Sequence, residues 1–117
     1  MGLSTHVLDT MHGRPAAGMQ VELYTTEGGQ AQLVRRFRLN HDGRNPDGPL
    51  YDNDSLKAGT YRLVFDVRDY FAAQGVDLPD PPFLDRVALD FGVAHADQHY
   101  HVPLLVSPWS YSTYRGS

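Results

Sequence analysis

Apolar and polar residues alternate along most of this chain with a period of two, which predicts half-buried β-strands. Leu3–Asp9 is the first, with Leu3 and Val7 on one face and Ser4, His6 and Leu8 on the other. Gly18–Thr25 puts Met19, Val21 and Leu23 inward and Gln20, Glu22 and Tyr24 outward. Gln32–Leu39 aligns Leu33, Phe37 and Leu39; Gly59–Phe65 aligns Tyr61, Leu63 and Phe65; Arg86–Phe91 aligns Val87, Leu89 and Phe91. In Tyr100–Val106 the core face is Tyr100, Val102, Leu104 and Val106, while His99, His101, Leu105 and Ser107 fall on the other side. Ser107-Pro108 reads as a turn and Trp109–Arg115 as a returning strand.

The breaks are rich in turn formers. His12-Gly13-Arg14-Pro15 ends the first strand, Glu27-Gly28-Gly29 is a turn, and Asn40–Pro49 holds two Asp-Gly pairs and reads as loop. One stretch changes period. Val67, Tyr70 and Phe71 lie at i, i+3 and i+4, with Asp66 placed to cap the helix, Asp69 in its first turn and Gly75 at its end. Leu78–Phe83 carries three prolines and reads as a rigid loop. Seven or eight short strands and one short helix predict an all-β antiparallel β-sandwich. The 117 residues make one domain, 1–117, with no repeat or linker.

Composition narrows the chemistry. With no cysteine, disulfides, thiolate metal sites and a cysteine nucleophile are excluded. A formal net charge of -4 argues against a nucleic-acid partner. Arg35, Arg36 and Arg38 form the densest basic group, which reads as strand-face charge. No apolar run is long enough to span a membrane, and no charged segment followed by an apolar block opens the chain. A soluble, cytoplasmic protein is the expectation.

The chemistry must then come from histidine, arginine, hydroxyls and carboxylates. His12, His41 and His95 lie in predicted turns and read as solvated. His6 and His101 both stand opposite their strand's core face, where an imidazole can act as acid or base or simply be solvated. His99 and His101 point the same way, and with His6 they could form a three-histidine zinc site, a spacing that is permissive but common. Arg44 sits in the turn Asp42-Gly43-Arg44-Asn45, where a planar guanidinium can be presented to a carbonyl or an anion.

Longer motifs run through these residues. Leu3-Ser4-Thr5-His6-Val7-Leu8-Asp9 followed by Gly13-Arg14-Pro15-Ala16 resembles the opening motif of the transthyretin-related 5-hydroxyisourate hydrolases. Asn40-His41-Asp42-Gly43-Arg44 resembles their N-x-D-G-R motif. Gly59-Thr60-Tyr61 with Phe65-Asp66, and Pro82-Phe83-Leu84, are similar to the middle of the family. Tyr100-His101-Val102-Pro103-Leu104-Leu105 and Ser112-Thr113-Tyr114-Arg115-Gly116-Ser117 resemble its closing motifs. The Y-R-G-S ending is the most specific part. Vertebrate transthyretin, the hormone carrier on the same fold, lacks it and lacks the paired histidines.

The resemblance implies a two-sheet, transthyretin-like sandwich of eight strands and one short helix. It implies a homotetramer, a dimer of dimers with sites at the dimer–dimer interface. It also implies ring opening of 5-hydroxyisourate by water, with no cofactor and no metal. By motif, His6, Arg44, His101 and Ser117 are the catalytic candidates, and His6, Arg44 and Tyr114 contact the substrate. We assign His101 to water activation, His6 to substrate contact and proton handling, and Arg44 to the developing oxyanion. Ser117 would orient a histidine or the water through its hydroxyl or a terminal carboxylate. Two alternatives stand beside this expectation: a non-enzymatic small-ligand carrier, and a zinc-dependent hydrolase using His6, His99 and His101.

Overall fold

The computed structural model describes residues 2–116. Two four-stranded sheets face each other. β1 (Leu3–Asp9), β2 (Arg14–Pro15), β7 (Tyr100–Val106) and β8 (Tyr111–Thr113) form one, in the order β2-β1-β7-β8. β3 (Gln20–Thr25), β4 (Gln32–Arg38), β5 (Gly59–Asp66) and β6 (Arg86–Val93) form the other, in the order β4-β3-β5-β6. The second sheet is antiparallel throughout. In the first, β1 runs parallel to β7 and the other pairs are antiparallel. The transthyretin-like all-β sandwich of eight strands and one helix is the architecture expected.

The core forms where the two inner faces meet. Leu3, Val7, Val102, Leu104 and Val106 come from one sheet, and Val21, Leu23, Leu63, Phe65, Val87 and Leu89 from the other. Burying a side chain of this size is worth about 1.5–3 kcal/mol. Thr5 lies on the same inner face and satisfies its hydroxyl by donating to the Val102 carbonyl at 2.7 Å.

The helix α1 (Val67–Ala73) buries Val67, Tyr70 and Phe71, the three residues its periodicity selects. Its N-terminal capping differs from expectation. Asp66 ends β5 and makes no side-chain cap; the Val67 and Arg68 amides donate instead to the Asp85 carbonyl, at 3.1 and 2.9 Å. Gly75 takes φ +83° just past the helix, as a C-terminal glycine should.

Three other local readings shift. Arg14–Pro15, expected to be only a break, pairs with Leu8–Asp9 as the edge of its sheet. Leu33 was expected inward but is exposed. The β3–β4 register jumps from Leu23 opposite Arg35 to Tyr24 opposite Leu33, and this bulge turns Leu33 to the outer face. β8 is shorter than Trp109–Arg115, and the chain re-joins the sheet at Gly116, opposite His101.

Candidate active site

The parallel pairing of β1 with β7 builds the site. Residues of these strands come into register as Ser4 with His101 and His6 with Pro103. Ser4 and His6 share one face of β1, and His101 and Leu105 continue that face on β7. Both histidines are half-buried there.

Arg44 reaches the same face from a turn that its own motif folds. Asn40 accepts the Asp42 and Arg44 amides on its side-chain Oδ1, at 2.9 and 3.2 Å. Its carbonyl takes the Gly43 amide at 2.9 Å, and its amide donates to the Arg44 carbonyl at 2.8 Å. The Val7 amide donates to the Gly43 carbonyl at 2.9 Å, which bridges Arg44 to His6 on β1. Gly43 is required here. It sits at φ +73°, and a Cβ would lie 2.5 Å from the Val7 carbonyl oxygen and 3.3 Å from His6 Cδ2. Arg44 itself is exposed, and its guanidinium has no protein hydrogen-bond partner among the described residues.

The tail closes the other side. The Gly116 amide donates to the His101 carbonyl at 2.7 Å. A Cβ at Gly116 would lie 3.0 Å from His101 Cδ2, so the backbone runs directly against the ring. Arg115 anchors the approach. Its guanidinium stacks 4.0 Å from the centre of the Tyr100 ring and donates to the Gln98 side chain and the His99 carbonyl, at 3.1 and 3.0 Å. Ser117 lies outside the described residues.

Electrostatics favour neutral imidazoles. Burial lowers the pKa of His6, and the Arg44 charge lowers it further, against a weaker opposing pull from Asp42. His101 is lowered by burial first, then by Arg44, His6 and His99. Near neutral pH the face therefore carries two uncharged bases beside one fixed cation. It can take a proton from a water and hold a developing negative charge.

His6, His101 and Arg44 thus come together from segments remote in sequence. Tyr114 takes a different place. It is 61 % exposed and lines, with Arg115, Thr113 and Leu89–Gly92, a cavity of about 300 Å³ between β6 and the tail. Of the three histidines considered for zinc, His99 directs Nε2 toward the Ser4 hydroxyl, 3.4 Å away. Among the described residues no three histidines or carboxylates gather closely enough to hold a metal ion. Ser4 was missed as a site residue. Its signal was its place two residues before His6 on one face, but its contact with His101 depends on strand pairing across 97 positions.

Comparison with known proteins gives a consistent family. The HIUase/Transthyretin family profile matches residues 3–116. The chain is 56 % identical over 115 residues to a 5-hydroxyisourate hydrolase of Pseudomonas aeruginosa, covering 98 % of this chain and 90 % of that one. Among solved structures it resembles (S)-allantoin synthase at 47 % identity and a TM-score of 0.92, covering 99 % of this chain but spanning only 43 % of that protein. It resembles sea bream transthyretin in complex with thyroxine at 27 % identity and a TM-score of 0.84, over 99 % of this chain and 95 % of that one.

Proposed function

The chain belongs to the HIUase/Transthyretin family, and on that premise we propose that it hydrolyses 5-hydroxyisourate to 2-oxo-4-hydroxy-4-carboxy-5-ureidoimidazoline, a step of urate breakdown. The observation that carries the reading is the single sheet face on which His6 and His101, both biased toward the neutral form, stand beside Arg44. A carrier of an apolar ligand has no use for two bases and a cation at one site. Sequence similarity points the same way: identity to the bacterial hydrolase is about twice that to the thyroxine-bound transthyretin.

In the proposed reaction, water attacks a ring amide carbonyl while His101 accepts its proton. The carbonyl oxygen becomes an oxyanion, which the Arg44 guanidinium stabilises through paired N–H donors. The C–N bond then breaks; nitrogen leaves with a proton and carbon becomes a carboxylate. His101 passes the proton it took from water to the departing nitrogen, while neutral His6 contacts the substrate and accepts the proton that the new carboxylic acid releases. Tyr114, which stands apart from the two histidines within one chain, would contact the substrate ring from a neighbouring copy across the subunit interface, and Ser117 orients a histidine or the water through its hydroxyl. No cofactor enters the scheme. We place the site at the dimer–dimer interface of a cytoplasmic homotetramer, a setting that would cover the outward Leu105 and enclose an otherwise open face.

The test generates 5-hydroxyisourate from urate with urate oxidase and follows its ultraviolet decay with and without the protein. Faster decay that disappears in His101→Ala supports the proposal. Decay at the spontaneous rate, with folded protein present, would turn the assignment to ligand carriage. In the same assay Arg44→Ala should lower turnover by about a hundredfold; near wild-type rates would remove Arg44 from the mechanism. Dialysis against a chelator should leave turnover unchanged, and a loss restored by zinc would replace this scheme with a metal-dependent one.

A further inference from the structure

We propose that Ser4 and His99 form a positioning chain that holds His101 in the tautomer protonated on Nδ1, leaving Nε2 bare toward the substrate. The proposal rests on the hydrolase reading for its role in turnover, but its geometry stands independently. Ser4 Oγ lies 2.8 Å from His101 Nδ1 and 3.4 Å from His99 Nε2. The hydroxyl therefore sits between two imidazole nitrogens.

A hydroxyl has one proton to donate, so its two contacts are linked. When Ser4 donates to His99 Nε2, it must accept from His101, and His101 carries its proton on Nδ1. When Ser4 donates to His101 Nδ1, the proton of that ring moves to Nε2, where it cannot accept one from water. Only the first arrangement gives the base the proposed chemistry requires. It also leaves the His99 proton on Nδ1.

The framework suits such a chain. Ser4 and His101 are direct partners across the parallel β1–β7 pair, so the hydroxyl is placed by backbone register. The His99 and His101 rings lie nearly parallel, 11° apart, with centroids at 6.5 Å. Arg115 pins the His99 backbone through its carbonyl. His99 Nδ1 is buried without a protein partner among the described residues. The first arrangement places an N–H at this atom, so a water or a neighbouring copy would have to accept its proton. The relation matches the way a base is generally oriented by a third group behind it.

The experiment is a two-bond proton–nitrogen correlation spectrum of the whole protein labelled with 15N-histidine, recorded at neutral pH. Signals are assigned from the single losses in His101→Gln and His99→Gln. Wild-type protein should show His101 as the Nδ1–H tautomer. Ser4→Ala should shift it toward Nε2–H, and Ser4→Thr, which keeps the hydroxyl, should restore it. On 5-hydroxyisourate, Ser4→Ala should lower kcat by about tenfold or more with KM little changed. An Nε2–H tautomer in the wild type overturns the proposal without any variant having to fold. So does an unchanged tautomer in folded Ser4→Ala. If the tautomers behave as stated but the substrate is not turned over, the positioning chain stands and the substrate assignment falls.

Discussion

Single backbone positions hold this site together. Because Gly43 combines a left-handed conformation with contact against Val7, Gly43→Ala should destabilise the protein by about 1–3 kcal/mol. It should also lower kcat/KM by displacing Arg44 from His6, and urea melts with kinetics on the same preparation read both effects. The histidines supply a pH test with a definite sign. Burial and Arg44 lower both pKa values, so the midpoint of protonation, and with it of the loss of the base, lies below the ordinary histidine value of about 6.5. A profile of kcat/KM should therefore fall on the acid side with a midpoint below about 6.5. A midpoint above it would mean that the titrating base is not one of these two. Most of these residues were readable in the sequence because alternation separates core from outward positions, and His6, His101 and Arg44 are all outward or in a turn. Ser4 was not, because a serine on a strand is common and its hydroxyl gains meaning only from the ring opposite it.

At the scale of elements, the helix is fastened to the far end of β1 by one buried carboxylate. Asp9 is fully buried and accepts from the His12 amide at 3.0 Å, His12 Nδ1 at 2.6 Å and the Tyr70 hydroxyl at 2.7 Å. Burial alone would raise its pKa; the His12 and Tyr70 hydrogen bonds outweigh burial and hold it below the usual carboxylate range. Burial, and then the same bond to Asp9, push the Tyr70 hydroxyl up to about 12. Tyr70→Phe should cost about 1.5–3 kcal/mol, since it removes a donor from a buried charge. A depressed carboxyl contributes stability above its unfolded pKa and loses it as pH falls through the folded value. The wild type should thus lose stability in acid more steeply than Asp9→Asn, as denaturant midpoints at pH 3 and pH 7 would record. The helix itself was legible from Val67, Tyr70 and Phe71. Its true cap was not, because the Asp85 carbonyl comes from a loop that only tertiary structure brings to the helix start. The bulge that exposes Leu33 was hidden for a similar reason: the extra residue shows only against a partner strand.

For the whole molecule, the outer face of β1 and β7 and the aromatic residues beyond it frame the question of assembly. Leu105 is only half-buried on the histidine face. Trp109 is 58 % exposed and stacks on Phe83 with ring centroids 5.9 Å apart. If copies meet on the histidine face, native mass spectrometry should give a mass of four chains. Leu105→Lys should then dissociate that assembly and depress turnover while the circular dichroism of the protomer stays unchanged. An active Leu105→Lys protein of two chains would show that the site is complete without the dimer–dimer contact. The two-sheet plan could be anticipated from strand count, but the strand order could not. Alternation marks which face of a strand is buried and is silent about which strand lies beside it. The parallel β1–β7 pair, on which the site depends, joins residues nearly a hundred positions apart.

That pairing has a consequence for how the protein is made. β3, β4, β5 and β6 follow one another along the chain and pair only among themselves, so one sheet can assemble while synthesis is still under way. β1 is made before the other strands, and β2 with the single bridges from Arg44 and Tyr51 can cover only one of its edges until β7 emerges. During that interval a strand carrying Leu3, Val7 and Leu8 has an open edge, which is where nascent chains stick to one another or to chaperones. The histidine face is consequently among the last parts of the molecule to exist, and a ribosome stalled before Tyr100 would display a half-built sandwich without it.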